Sequence, residues 1–288
     1  MPDPELLTFH TLYDSPMISV RDYICHDNSH DHSPEEQSEI NAIVLMRHGA
    51  FSRHFGKRSS TSDVNQSTFF SKDSVYRVSH PGDCGDRGTS FVIADSILRD
   101  IIRELDASID DRPDRPFPFS EGPCDTELFR RHREYVRRLE RAAAEPLEPL
   151  WADVTGLQLI ADVIEAAFTH SGAKPKKRVS TLADHAERTE AAKTYLAAHI
   201  GENVSLEEIA AVVNASPFNF ARMFQEQTGV PAHRYLTQLR LRAALERLGD
   251  ADDITSLAID LGFSSHSHFT DVFRREFGKT PSEYRKAR

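Results

Sequence analysis

The chain has only three cysteines, Cys25, Cys84 and Cys124, in 288 residues. The number is odd and the spacing scattered, which excludes a disulfide framework and fits a reducing compartment. No apolar run reaches the length that spans a bilayer. The start, MPDPELLTFH, lacks the basic and apolar stretches of a signal peptide. Cytoplasmic location without a membrane partner is expected. GxSxG, Walker, Rossmann and HExxH motifs are all missing, so no enzyme activity and no cofactor are expected. Basic charge is in deficit as well, with a net charge of −10. That deficit is uneven. Residues 185–288 hold 13 basic and 14 acidic side chains, and residues 1–184 hold 22 and 31. Residues 217–248 carry five arginines against two glutamates. Local patches matter more for phosphate binding than the total.

The first hundred residues contain short β-branched or aromatic stretches at 17–25, 40–49, 51–55, 67–72, 76–80 and 89–95, separated by turn residues such as Asn28, Gly49, Gly56, Pro81 and Gly82. This spacing predicts a small sandwich or barrel. The polar stretch 27–37 is expected to be a loop. Helical spacing starts at 97–105. Residues 110–125 form a proline-rich connector, and 126–144 and 149–168 are amphipathic. The basic stretch SGAKPKKRVS (171–180) is the expected domain boundary.

Beyond it the chain repeats itself. At an offset of 48, Leu206, Ile209, Ala210 and Val213 fall on Ile254, Leu257, Ala258 and Leu261. At an offset of 49, Phe220, Met223, Phe224 and Gly229 fall on Phe269, Val272, Phe273 and Gly278. Each copy is a short helix, a tight turn and a second helix, with one extra residue in the second turn. Ser205 with Glu208 makes a capping box, Asp253 caps the equivalent helix, and Ser216 with Pro217 starts the next. A connecting helix over 231–248 spans about 27 Å at 1.5 Å per residue. Successive major grooves on one face of DNA lie roughly 34 Å apart, so two such units suit two adjacent grooves. The phenylalanines at 263, 269, 273 and 277 are expected to be core.

The series Ile254, Ala258, Gly262-Phe263, Ser267-His268-Phe269, Phe273, Phe277-Gly278, Pro281 and Tyr284-Arg285 resembles the DNA-binding domain of AraC/XylS-family transcription regulators. SPFNFARMFQEQTGVPAHRYLTQLRLRAA resembles its first unit and linking helix. The resemblance implies seven helices, with helix-turn-helix units at 205–229 and 253–278. It places base readers at Phe218, Asn219 and Arg222 in the first unit. Arg222 suits guanine and Phe218 a thymine methyl; a surface ion pair of Arg222 with Glu226 is the other reading. The equivalent positions of the second unit are His266, Ser267, Thr270 and Asp271. Family members often carry arginine where Asp271 stands, and a carboxylate accepts only from cytosine N4. Backbone contacts are expected from Ser216, Ser265 and Thr280 at helix starts.

LMRHGAFSRH and YRVSHPGDCGDRGTSFVI, with His80-Pro81 and Asp86-Arg87, resemble the cupin-like N-terminal domain of such regulators. The expected architecture is α+β: a cupin-like barrel for sensing or dimerisation (1–120), a helical segment and linker (121–180), and an all-α bipartite domain (181–288). The expected partners are double-stranded DNA, a small-molecule effector, RNA polymerase and a second copy of the chain. The effector residues are not identified. Leu128, Tyr135, Leu139, Leu157, Ile160 and Ile164 are expected to form a dimer face, a cover for the barrel, or both. The arginines of 130–141 alternate with Glu as on a solvated helix face.

Cys25, His26, His30, His32, His80 and Cys84 are metal-ligand types, but their spacing matches no zinc motif. No metal is therefore assigned, and loop histidines with a buried thiol are expected instead. Arg87 is placed to lower the Cys84 pKa. The alternative for the whole chain is a small-molecule- or metal-binding cupin protein whose helical tail does not bind DNA.

Overall fold

The computed structural model describes residues 6–286 apart from 28, 30, 82–84, 143–145, 172–181, 250 and 252. His30 and Cys84, and with them the proposed Arg87–Cys84 interaction, lie outside the described residues, as does nearly all of the linker at 171–180. The chain divides into two compact units, 1–140 with 155–179, and 141–154 with 180–288. No described helix is long and apolar enough to cross a membrane.

Among the described residues the N-terminal unit has ten strands: β1 (Leu7–Asp14), β2 (Ile18–Cys25), β3 (Glu36–Gln37), β4 (Ala42–His48), β5 (Phe51–Phe55), β6 (Arg58–Ser62), β7 (Gln66–Phe70), β8 (Val75–Ser79), β9 (Asp86–Ile93) and β10 (Glu121–Pro123). All pairings are antiparallel. They build a six-stranded sheet, β1-β2-β9-β4-β7-β10, and a four-stranded one, β3-β8-β5-β6. The central strands are apolar: Ile43, Leu45 and Phe91 are fully buried. This is the expected mixed architecture, an antiparallel β domain ahead of helices.

Four strands lie outside the stretches read from the sequence, and one of them, β3, falls in the polar stretch 27–37 expected to be a loop and pairs with β8. β1 is mostly exposed and, among the described residues, pairs with β2 alone. β6 is RSSTS, a polar edge strand that pairs with β5 across a hairpin turned by Gly56 at φ 60°. β10 lies within the proline-rich connector and pairs with β7. Edge strands need little apolar content, so hydrophobic patterning misses them.

Helices α1 (Asp95–Leu105), α2 (Thr126–Glu140) and α3 (Pro149–His170) follow. Leu128, Tyr135, Leu139, Leu157, Ile160 and Ile164 are all buried within the unit. This corrects the dimer-face reading, because side chains packed in the core offer no surface to a second copy. On the outer face of α2, Arg130 pairs with Glu127 and Glu134 at 2.6 and 2.5 Å. That is a solvated face of paired charge.

Among the described residues the C-terminal unit carries seven further helices: α4 (Leu182–Ala198), α5 (Leu206–Val212), α6 (Pro217–Thr228), α7 (Ala232–Arg247), α8 (Ile254–Asp260), α9 (His266–Phe277) and α10 (Pro281–Lys286). Ser205 completes a capping box on α5, and Asp253, Ser216 and Ser265 cap α8, α6 and α9. Gly229 and Gly278 end α6 and α9 in left-handed conformation, both at φ 75°. Phe263, Phe269 and Phe273 are buried with Ile254, Leu257 and Leu261, and Phe277 packs against them half-buried.

Candidate functional site

The pair α5–α6 and the pair α8–α9 are the two copies of the repeat. The turn in each needs one left-handed residue, Asn214 at φ 50° in the first and Gly262 at φ 77° in the second. Asn is among the few side-chain-bearing residues that adopt this conformation readily. The second turn leaves no room for one. A Cβ on Gly262 would lie 2.7 Å from Arg240 Nη2.

Arg240 is the residue that sequence reasoning misplaced. It counts among the five arginines of 217–248, yet it is 3% exposed. From α7, its Nε donates to the Ile200 carbonyl at 2.9 Å and its Nη2 to the Glu202 carbonyl at 2.8 Å. Nη1 lies 3.4 Å from Glu148 Oε1, and the guanidinium stands 5.8 Å from the centre of the Phe263 ring. The side chain thus joins the loop before the first unit to the turn of the second. It is unavailable to phosphate.

On α6, Arg222 is half-exposed and Asn219 half-buried. Arg222 Nε donates to Glu226 Oε1 at 2.9 Å. The ion pair on the helix surface is therefore real. An exposed i,i+4 pair of this kind contributes only about 0.3–0.5 kcal/mol, so little energy ties Arg222 to Glu226. Phe218 is a correction. Its ring is 4% exposed, because it lies on the inner side of the first turn of α6, and it has no face for a thymine methyl.

On α9, His266, Ser267 and Asp271 are exposed, and Arg274 and Arg275 extend the exposed face to the last turn. Thr270 is half-buried, and its Oγ1 has no hydrogen-bond partner among the described residues. The cap hydroxyls have defined tasks. Ser216 Oγ accepts from Asn219 N at 3.4 Å and Ser265 Oγ from His268 N at 3.1 Å. Thr280 Oγ1 accepts from Glu283 N and donates to Glu283 Oε2, at 3.2 and 2.9 Å. These residues hold helix N-termini in shape, and such termini present backbone N–H groups to anions.

Each copy is a short helix, a turn and a second helix with an exposed face, and one continuous helix connects the two. A helix-turn-helix domain family matches residues 209–287. The C-terminal domain is of the AraC/XylS type. It is 38% identical over 116 residues to the HTH-type transcriptional activator RhaS of Escherichia fergusonii, covering 38% of this chain and 42% of that protein. RhaS of Citrobacter koseri is 24% identical over 258 residues, 88% of both chains. A transcriptional regulator structure from Chromobacterium violaceum, described as having an AraC-type DNA-binding domain, is 30% identical over 36% of this chain and 94% of its own, with a TM-score of 0.34. In its first curated relatives the chain matches 34–42% of their length.

The N-terminal unit has a cavity of about 790 Å³ between its sheets. Leu7, Phe9, Val44, Phe51, Phe70 and Val78 give it an apolar wall. Cys25, His32, His80 and Asp86 give it a polar one. His80 Nε2 lies 3.0 Å from Asp86 Oδ2 and 3.4 Å from Cys25 Sγ. In the metal-free protein, Asp86 and then Cys25 push the imidazole up to about 10. Arg87 is engaged elsewhere, with Asp22 at 2.5 Å. The sequence flagged Cys25 and His80 as ligand types. It grouped Asp86 with Arg87 instead, because no linear spacing shows that Asp86 pairs with Cys25 across β2 and β9.

Proposed function

We propose that the whole chain is a transcription regulator of the AraC/XylS kind. α6 and α9 enter two adjacent major grooves, and Asn219, Arg222, His266 and Ser267 meet base edges. Ser216, Ser265 and Thr280 shape the helix starts that meet phosphate. The N-terminal domain holds a small-molecule effector in its cavity and joins a second copy of the chain, and RNA polymerase is the further partner. Effector binding shifts the population able to span two half-sites. The observation that supports this reading best is the pair of outward helices on one connector, with Arg222 and Arg274–Arg275 on their exposed faces. Likeness to RhaS along 88% of the chain supports extending it beyond the C-terminal domain.

The test is selection from randomised duplex DNA by the purified full chain at about 50 and 150 mM salt, because phosphate attraction falls steeply with salt and base reading does not. An enriched motif that survives the higher salt is expected, split by one helical turn if both heads read bases. Absence of enrichment at both salts, with and without candidate effectors, would favour a cupin protein whose tail does not bind DNA.

A further inference from the structure

We infer that Cys25, His80 and Asp86 form a binding site for a borderline-soft divalent metal, zinc first among them. The site goes beyond the regulator reading and stands or falls without it.

The strand register makes the site. Cys25 ends β2 and Asp86 begins β9, and the two are direct cross-strand partners. Gly85 sits at φ 65°, where a Cβ would lie 2.3 Å from the Cys25 carbonyl oxygen. That close approach brings the start of β9 against the end of β2. His80 follows β8 from the other sheet and is anchored by its backbone N–H to the Ser29 carbonyl at 3.1 Å. One sulfur, one imidazole nitrogen and one carboxylate oxygen then lie within 4.8 Å of one another.

Two of the three separations lie close to those of a tetrahedral ion. Zinc bonds of about 2.3 Å to sulfur and about 2.1 Å to nitrogen and oxygen set sulfur roughly 3.6 Å from nitrogen, and nitrogen roughly 3.4 Å from oxygen. The observed separations are 3.4 and 3.0 Å. A proton serves this group less well. Nε2 carries one N–H at most and faces two acceptors. Asp86 Oδ2 is left without a well-directed hydrogen bond although Asp86 is only 3% exposed. Its close partner is the His80 imidazole at 3.0 Å, an ion pair without good hydrogen-bond geometry. A divalent cation satisfies all three groups at once, with loss of the thiol proton and of the Nε2 proton to solvent.

The surroundings match a metal-bound histidine. Such a ring usually gives its second nitrogen to a carboxylate, which fixes its orientation. Asp27 Oδ2 stands 3.6 Å from His80 Nδ1. Asp27 Oδ1 is meanwhile held by the Ser29 N–H at 2.8 Å. Three protein ligands leave a fourth position, as in sites that bind an exchangeable ligand. All three side chains line the cavity, so a ligand in the cavity reaches that position. The thiolate selects against magnesium and calcium, which take oxygen ligands.

The test uses the full chain, freed of metal with a chelator and titrated with Co²⁺. Stoichiometric binding with a sulfur-to-cobalt charge-transfer band is expected. Cys25→Ser should abolish the band, and Cys124→Ser should leave it intact. His80→Gln and Asp86→Asn should each weaken binding, with circular dichroism and thermal unfolding of the metal-free variants confirming that they fold. Asp27→Asn should keep the band but weaken affinity about 10–100-fold, as a positioning residue does. Absence of stoichiometric binding, or a band that survives Cys25→Ser, overturns the site and leaves His80 and Asp86 as a buried ion pair.

Discussion

Phe220, Met223 and Phe224 of the first helix-turn-helix unit occupy the positions of Phe269, Val272 and Phe273 in the second, and all six are buried. The outward residues diverge. α6 presents Arg222 beside Glu226 and has no basic residue in its last turn, whereas α9 presents Asp271 in its middle and Arg274 and Arg275 at its end. Duplication has kept the side chains that fold each unit and released those that face outward. The fold therefore belongs to both units equally, and the expectation of guanine reading rests on Arg222 of the first.

Arg240 gives the sharpest way to break the comparison, because it is held between the two units. Arg240→Met leaves the carbonyls of Ile200 and Glu202 without their donors and Glu148 without its buried partner. Removing one member of a buried ionic cluster costs about 3–5 kcal/mol. Thermal or denaturant unfolding should show that loss. The turns respond unequally for the same reason. Gly262→Ala drives a methyl group against the guanidinium and strains a left-handed position, whereas Asn214→Gly should leave stability nearly unchanged. Equal tolerance at the two turns would show that Arg240 does not distinguish them.

Next come the outward residues. Arg222→Ala should lower affinity for the specific site by about 1–3 kcal/mol and relax preference at one base. Uniform weakening across sequences would make Arg222 a phosphate contact. Asp271→Ala should not weaken binding, and Asp271→Arg should raise affinity and steepen the salt dependence by about one charge. If Asp271→Ala instead costs as much as Arg222→Ala, both units read bases and the asymmetry fails.

The inner face was legible in the sequence and the outer one was not. Repeat offsets of 48 and 49, the caps at Ser205, Ser216 and Asp253 and the glycines at 229 and 278 are local signals, and local signals survive in one dimension. Arg240 carries no such mark: an arginine on a helix looks the same whether it faces phosphate or a ring of carbonyls. Phe218 misled for the matching reason, since a position at a helix start does not say which way a ring turns. In the β domain the apolar strands were readable. The edge strands β1 and β6 were not, and neither was the meeting of Cys25, His80 and Asp86, which strand register and sheet packing create over long sequence distances.

Acid should separate the two units further. His233 on α7 is half-buried, and desolvation holds its imidazole down to about 4, with Arg234 adding to the effect. Its folded pKa lies below the unfolded value, so the unfolded chain takes up the proton first. Its contribution is complete above about pH 6.5 and is lost as pH falls toward about 4, at up to about 1.4 kcal/mol per pH unit. His132 in the β domain, held down to about 3 by burial, behaves alike over a wider window. The histidines of α9 are exposed or half-buried. Hydrogen exchange should therefore report earlier loosening around α7 than in α9 on acidification, and His233→Gln should abolish the difference.

The smallest effect tests whether the two units are still equal as folding units. Ser216→Ala and Ser265→Ala each remove a side-chain acceptor from the first turn of an outward helix. N-cap losses of this kind run to about 1 kcal/mol. The Ser216 bond is the longer, 3.4 Å against 3.1 Å, and Pro217 already fixes φ at the next position. Ser216→Ala should therefore cost less than Ser265→Ala in thermal unfolding. The order reverses if the proline does not preorganise α6, and the first unit would then depend on its cap as much as the second does.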